Sequence, residues 1–248
     1  MLRHHLPIFL LLNFLVLYGY CMFNPMAMKK GGACVDVKAY FAVDNEESNE
    51  ESSDDDFYHV ENLKSDVSIC SLSNGNCEPG WKNFTRPSGE WCMKIFYEDS
   101  LTHNQAAQRC EAQGAALSGL QNQIEAQYVF STVTIGIYPG TGSIWIGLKR
   151  KKECEGLGWT VNCTWDKAFE WTDKSATGTD GLNWACNQPD NARNRSQNCA
   201  TLTASSAGNV LGFQTGTIDD VGCDFDYIKE NRKERNIRAY VCGKKSKV

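Results

Sequence analysis

Histidine is scarce in this chain, with four in 248 residues, and His4 and His5 lie in the N-terminal apolar region. Only His59 and His103 remain, so a Ser-His-Asp or Cys-His relay is hard to assemble. No Cys-X-X-Cys, zinc-protease helix or phosphate-cradling glycine loop is present. Clustered acids alone fix no carboxylate separation for glycoside hydrolysis. An enzyme is therefore not expected. Residues 57–248 also lack net charge, with 21 Lys+Arg against 21 Asp+Glu, which gives little reason to expect nucleic-acid binding. Internal repeats are absent, and beyond the N-terminus no run is apolar enough to span a bilayer.

What the chain does have is cysteine, 12 residues of it. Residues 1–21 carry Arg3 and then the greasy run from Leu6 to Leu17, ending near Gly19 and Cys21. That is the pattern of a cleaved secretory signal, and the alternative is a type II membrane anchor running on towards Met28. Export places the cysteines in an oxidising compartment, where disulfides form. Three sequons, at Asn83, Asn162 and Asn194, fit the same route. Residues 22–69 form an N-terminal region, and within it residues 44–56 hold eight acids and no base. Such a run cannot bury enough apolar surface to repay its ordering, and it reads as a disordered spacer.

Residues 70–248 read as one domain, and all seven tryptophans fall in it. Helices are expected over 101–114, with Thr102 as N-cap, and from Asn122, with Glu125 at the capping-box position. The apolar face of the second helix fades near the β-branched residues 132–135. Strands are expected at 143–148, 169–172 and 238–242, separated by long Gly/Asn/Asp/Ser-rich stretches. This is an α+β arrangement whose long loops carry function. The runs Lys149–Lys152 and Lys229, Arg232, Lys233, Arg235 read as solvated faces rather than anion sites. His103, opening a helix, reads as a surface position, and Trp171 and Trp184 read as core.

Three groups of oxygen donors stand near cysteines: Asn183 to Asn191 around Pro189, then Gln197-Asn198-Cys199, then Asp219-Asp220-Val221-Gly222-Cys223. Hard cations such as Ca²⁺ take six to eight oxygens. Add the opening Cys77-Glu78-Pro79-Gly80-Trp81, Trp91-Cys92, Cys110 on the first helix, Trp145-Ile146-Gly147-Leu148 and Tyr240-Val241-Cys242, and the joint order resembles the C-type lectin-like domain. The resemblance implies a disulfide-braced α+β fold with two helices, small antiparallel sheets, an N-terminal hairpin and a long loop region.

The same resemblance implies the pairs Cys77–Cys92, Cys110–Cys242 and Cys199–Cys223. Cys154 and Cys163 bracket an insertion outside the general pattern and are expected to pair locally. If Cys21 leaves with the signal, Cys34, Cys70 and Cys186 remain, an odd number, so one can be free or linked to a partner chain. For the loop, the resemblance implies a single Ca²⁺ held by Gln188, Asp190, Gln197, Asp219 and Asp220, with a cis proline at 189 and sugar hydroxyls completing the coordination. Gln-Pro-Asp is the galactose-type order, although Asn191-Ala192-Arg193 supplies no ring beside it. Gln197 replaces a usual Glu, and Asp219 a usual Asn. An accessory ion would need acids after Leu148, where Lys149-Arg150-Lys151-Lys152 stand. A glycan on Asn194 would shield the site. The expectation is a secreted calcium-dependent lectin that binds glycans or glycoproteins in surface recognition or defence. The alternative is a calcium-independent protein-binding module of the same fold.

Overall fold

A computed structural model describes residues 77–247. The expected signal segment, the acidic spacer, Cys34 and Cys70 lie outside the described residues. Ten strands are resolved: β1 (Lys82–Arg86), β2 (Gly89–Tyr97), β3 (Ala116–Leu117), β4 (Thr141–Arg150), β5 (Phe169–Trp171), β6 (Cys199–Ser205), β7 (Asn209–Val210), β8 (Phe213–Gln214), β9 (Ile218–Val221) and β10 (Ile237–Lys245). The helices are α1 (His103–Glu111) and α2 (Gln123–Gly136), and Ala192–Arg195 make one short turn. No helix among the described residues is long and apolar enough to cross a membrane.

Local chemistry sets both helix starts. The Thr102 hydroxyl accepts from the Gln105 N–H at 3.2 Å, and the Gln105 side chain accepts from the Thr102 N–H at 2.8 Å, a complete capping box. Asn122 caps α2 by accepting from the N–H groups of Ile124 and Glu125. Glu125 does not close the expected box, because its carboxylate turns inward to Arg86. Helix α2 also continues through Thr132–Ile135 to Gly136, since burial of Val129 and Val133 outweighs the modest cost of β-branched residues.

The main sheet runs β1-β2-β10-β4-β6-β9, with β3 on β10 and β5 on β4. Only the β10–β4 pair among these is parallel. Strand alternation on β4 sends Ile144, Ile146 and Leu148 into one core with Val129, Val133, Leu202 and Ile218. Trp145 enters a second core with Leu101, Cys110 and Tyr240. Between them Gly147 is obligatory, because a Cβ there would lie 2.1 Å from the Leu117 carbonyl oxygen. Trp171 and Trp184 pack against the first core.

Disulfides join Cys77–Cys92, Cys110–Cys242, Cys154–Cys163 and Cys199–Cys223, and Cys186 is disulfide-bonded as well. The Cys110–Cys242 bond closes a separation of 132 residues, worth about 4–5 kcal/mol in the chain-entropy model.

A buried charge cluster ties the hairpin to the rest. Arg86 donates to both Glu125 oxygens at 2.8 and 2.7 Å, to Asp173 at 2.9 Å and to the Gly119 carbonyl at 3.0 Å. Removing the cation strands two buried carboxylates. Arg86→Ala is expected to lower stability by about 3–5 kcal/mol in urea unfolding. Arg109→Ala breaks an exposed pair with Glu98 and is expected to cost at most about 1 kcal/mol. Equal losses would refute the distinction.

His103 is buried, not on the surface, and lies edge-on to Trp145 at 5.3 Å. Burial, then the charge of Lys149, lowers its pKa from 6.5 to about 4. Its depressed folded value favours the neutral ring, so this contribution is present above pH 6.5 and is lost as pH falls towards 4. The window is worth up to about 3 kcal/mol. Stability measured across it is expected to fall less steeply in His103→Leu, and parallel curves would contradict this.

Candidate ligand-binding site

The loop from Asn183 to Asn191 is stitched along β9. Ile218 donates to the Asn183 carbonyl at 2.7 Å, and Ala185 donates to the Ile218 carbonyl at 2.8 Å. Trp184 fixes its base, packing on Phe169 at 4.9 Å and donating to the Trp165 carbonyl at 3.1 Å. The Gln188–Pro189 peptide is cis, and Asn187 and Asn191 take positive φ. Asparagine tolerates that region better than other side-chain-bearing residues. The loop thus lays the backbone of Asp190 and Asn191 against Asp220 on β9, and Gln197, just before β6, reaches the Asp220 carbonyl.

Of the five expected ligands, Gln188 thus touches Asp190, Asp190 and Gln197 touch Asp220, and Asp219 turns away to Arg235. Their oxygens are largely engaged. Asp220 accepts from the Asp190 N–H at 3.0 Å and from the Asn191 N–H at 2.9 Å. Its second oxygen also accepts from Arg150 Nη2 at 2.6 Å. Gln188 Oε1 accepts from the Asp190 N–H, and Asp190 Oδ1 from the Ala192 N–H, both at 3.0 Å. Gln197 donates its amide to the Asp220 carbonyl at 2.6 Å. Asp219 turns to Arg235, 2.8 Å away.

Arg150 is the central cation. It ends β4, donates its Nε–H to the Gln197 carbonyl at 2.9 Å and lies over the Phe169 ring at 4.5 Å. Arg235 is buried likewise, 3.6 Å over the ring of Phe213. Both bases were expected on solvated faces. Both instead fold inward, each neutralising a carboxylate that cannot be left alone in the interior. Burial is the largest influence on the Asp220–Arg150 pair, raising Asp220 to about 7 and lowering Arg150, and the attraction between them opposes it. Burial also raises Asp219, against the pull of Arg235.

A calcium cage needs six to eight oxygens facing one point. Here a guanidinium already occupies the carboxylate of Asp220, and another that of Asp219. The residues as arranged do not fit the ion. Among the described residues no three His, Cys, Asp or Glu side chains form a metal-sized group. Two buried acceptors, Gln197 Oε1 and Asn198 Oδ1, have no hydrogen-bond partner.

Arg150 was legible in principle, since it shares strand parity with Ile144, Ile146 and Leu148, all inward-facing. Arg235 lies in a short turn with no comparable signal. Of the sequons, Asn162 and Asn194 are exposed, whereas the Asn83 amide on β1 donates to Glu90. The Cys154–Cys163 insertion reaches the loop through Asn191 Nδ2, which donates to the Leu157 carbonyl at 2.6 Å.

Residues 78–245 match the family model of C-type lectin domain-containing protein 141/158. C-type mannose receptor 2 of Homo sapiens is 27% identical over 140 residues, covering 56% of this chain and 8% of the receptor. Asialoglycoprotein receptor 2 of Rattus norvegicus is 28% identical over 144 residues, covering 56% of this chain and 40% of that protein. The chain therefore spans less than half the length of either relative. The mouse scavenger receptor C-type lectin carbohydrate-recognition domain superposes with a TM-score of 0.44 at 22% identity, over 69% of this chain and 99% of that one.

Arg150→Ala is expected to destabilise the domain by about 3–5 kcal/mol, because it leaves Asp220 buried and uncompensated. Adding Asp220→Ala is expected to recover part of the loss in a double-mutant cycle. Strictly additive losses in denaturant unfolding would show that the two side chains do not act as a pair.

Proposed function

The chain belongs to the C-type lectin domain family, and from that premise we propose that it is a recognition module that binds an extracellular glycoprotein through its long-loop face without calcium. One observation carries this reading. The Arg150 guanidinium stands 2.6 Å from Asp220, so the charge a metal ion would bring is supplied by the chain. Calcium would have to displace a buried, bidentate-capable cation that is also hydrogen-bonded to the Gln197 carbonyl. The loop needs no ion for its shape, because Asp220 already receives the two backbone N–H groups that follow Pro189.

The ligand class draws support from the relatives, whose names include a mannose receptor and an asialoglycoprotein receptor. Export supports the same assignment. The N-terminal apolar run provides a route, secreted or anchored, and the disulfides belong to an oxidising compartment. Exposed at the loop face are Asp190 and the ring of Trp165.

A second reading keeps one Ca²⁺ on Gln188, Asp190, Gln197, Asp219 and Asp220, with galactose-type hydroxyls completing its shell. The orphaned Gln197 Oε1 favours it. It requires both arginines to withdraw.

Thermal unfolding in millimolar Ca²⁺ and in EDTA separates the two. Superimposable transitions are expected, together with glycoprotein capture that EDTA leaves intact. A native-state ligand at 100 times its Kd adds about 2.7 kcal/mol, so a calcium-dependent rise abolished by Asp220→Ala would establish the second reading.

A further inference from the structure

The insertion between β4 and β5 carries a feature that the loop site does not use. Cys163 donates its N–H to the Thr160 carbonyl at 3.1 Å, and the two residues form an antiparallel bridge. Val161 and Asn162 are thus the central pair of a tight turn, clamped at its base by Cys154–Cys163. Trp159 and Thr164 come directly before and after the bridge, at corresponding positions on its two arms. Trp159 is 68% exposed and Val161 82%. An indole is costly to leave in water. The Asn162 side chain is exposed and makes no hydrogen bond among the described residues.

We propose that Asn162 carries an N-linked glycan whose first N-acetylglucosamine lays the apolar C–H face of its ring on Trp159. Thr164 supplies the hydroxyl that the sequon requires. In the transfer, the Asn162 Nδ2–C1 bond forms and the C1–oxygen bond of a lipid-linked oligosaccharide pyrophosphate breaks. The amide gives up one proton, and the lipid pyrophosphate departs. A tether to the same turn keeps the sugar at high effective concentration over the indole. Aromatic faces offer a large apolar area for such a contact.

The other sequons lack these features. Asn83 spends its amide on Glu90 within the β1–β2 pair, and three residues before Asn194 stands Asn191, not a ring. The glycan would cover Trp159 and Val161 and brace the insertion, which holds Asn191 beside the loop through the Leu157 carbonyl.

The test uses the full chain exported from a eukaryotic host. Glycopeptide mapping is expected to find Asn162 occupied. Trimming the glycan to its first sugar is expected to leave the unfolding midpoint unchanged, whereas Asn162→Gln lowers it by about 2–4 °C. In a Trp159→Ala background, Asn162→Gln is expected to change nothing. An unmodified Asn162, or the same drop with and without Trp159, overturns the proposal.

Discussion

The contact between Arg150 and Asp220 organises the loop face. A carboxylate in this position, fully buried and beside Asp219, is untenable without a cation. The chain meets that demand from the end of β4, and the same carboxylate then holds the two N–H groups that follow Pro189. Loop conformation, sheet edge and charge balance therefore share one pair of side chains. Arg235 performs the equivalent service for Asp219 from the last turn before β10.

Farther from the loop, the same logic recurs. Arg86 neutralises Glu125 and Asp173 and so locks the first hairpin to α2 and to the segment after β5. The long Cys110–Cys242 bond adds a covalent tie between α1 and β10. The long segment between β5 and β6 has little regular structure, and it is held by such point contacts and by backbone hydrogen bonds to Ile218 on β9.

Much of that frame was legible in the sequence. Thr102 and Asn122 marked both helix starts because capping is local chemistry, and the apolar run 143–148 marked the central strand. The disulfide pattern came with the resemblance to a family, which composition cannot supply. What escaped was tertiary. Glu125, His103, Arg150 and Arg235 are all buried, yet each is a polar residue type that the sequence alone assigns to the surface. A base among lysines reads as solvated until a facing carboxylate is known. For Asp219 and Asp220 the partners determine the chemistry, and those partners lie 16 and 70 residues away.

If Arg150 is the resident cation of this loop, its Nε–H reports the fact in arginine-selective nitrogen–proton correlation spectra. Bonded to the Gln197 carbonyl at 2.9 Å and shielded from water, this proton is predicted to exchange slowly and to keep its shift when millimolar Ca²⁺ is added. A shift or loss of protection on adding calcium would show that the ion displaces the guanidinium and would contradict the account.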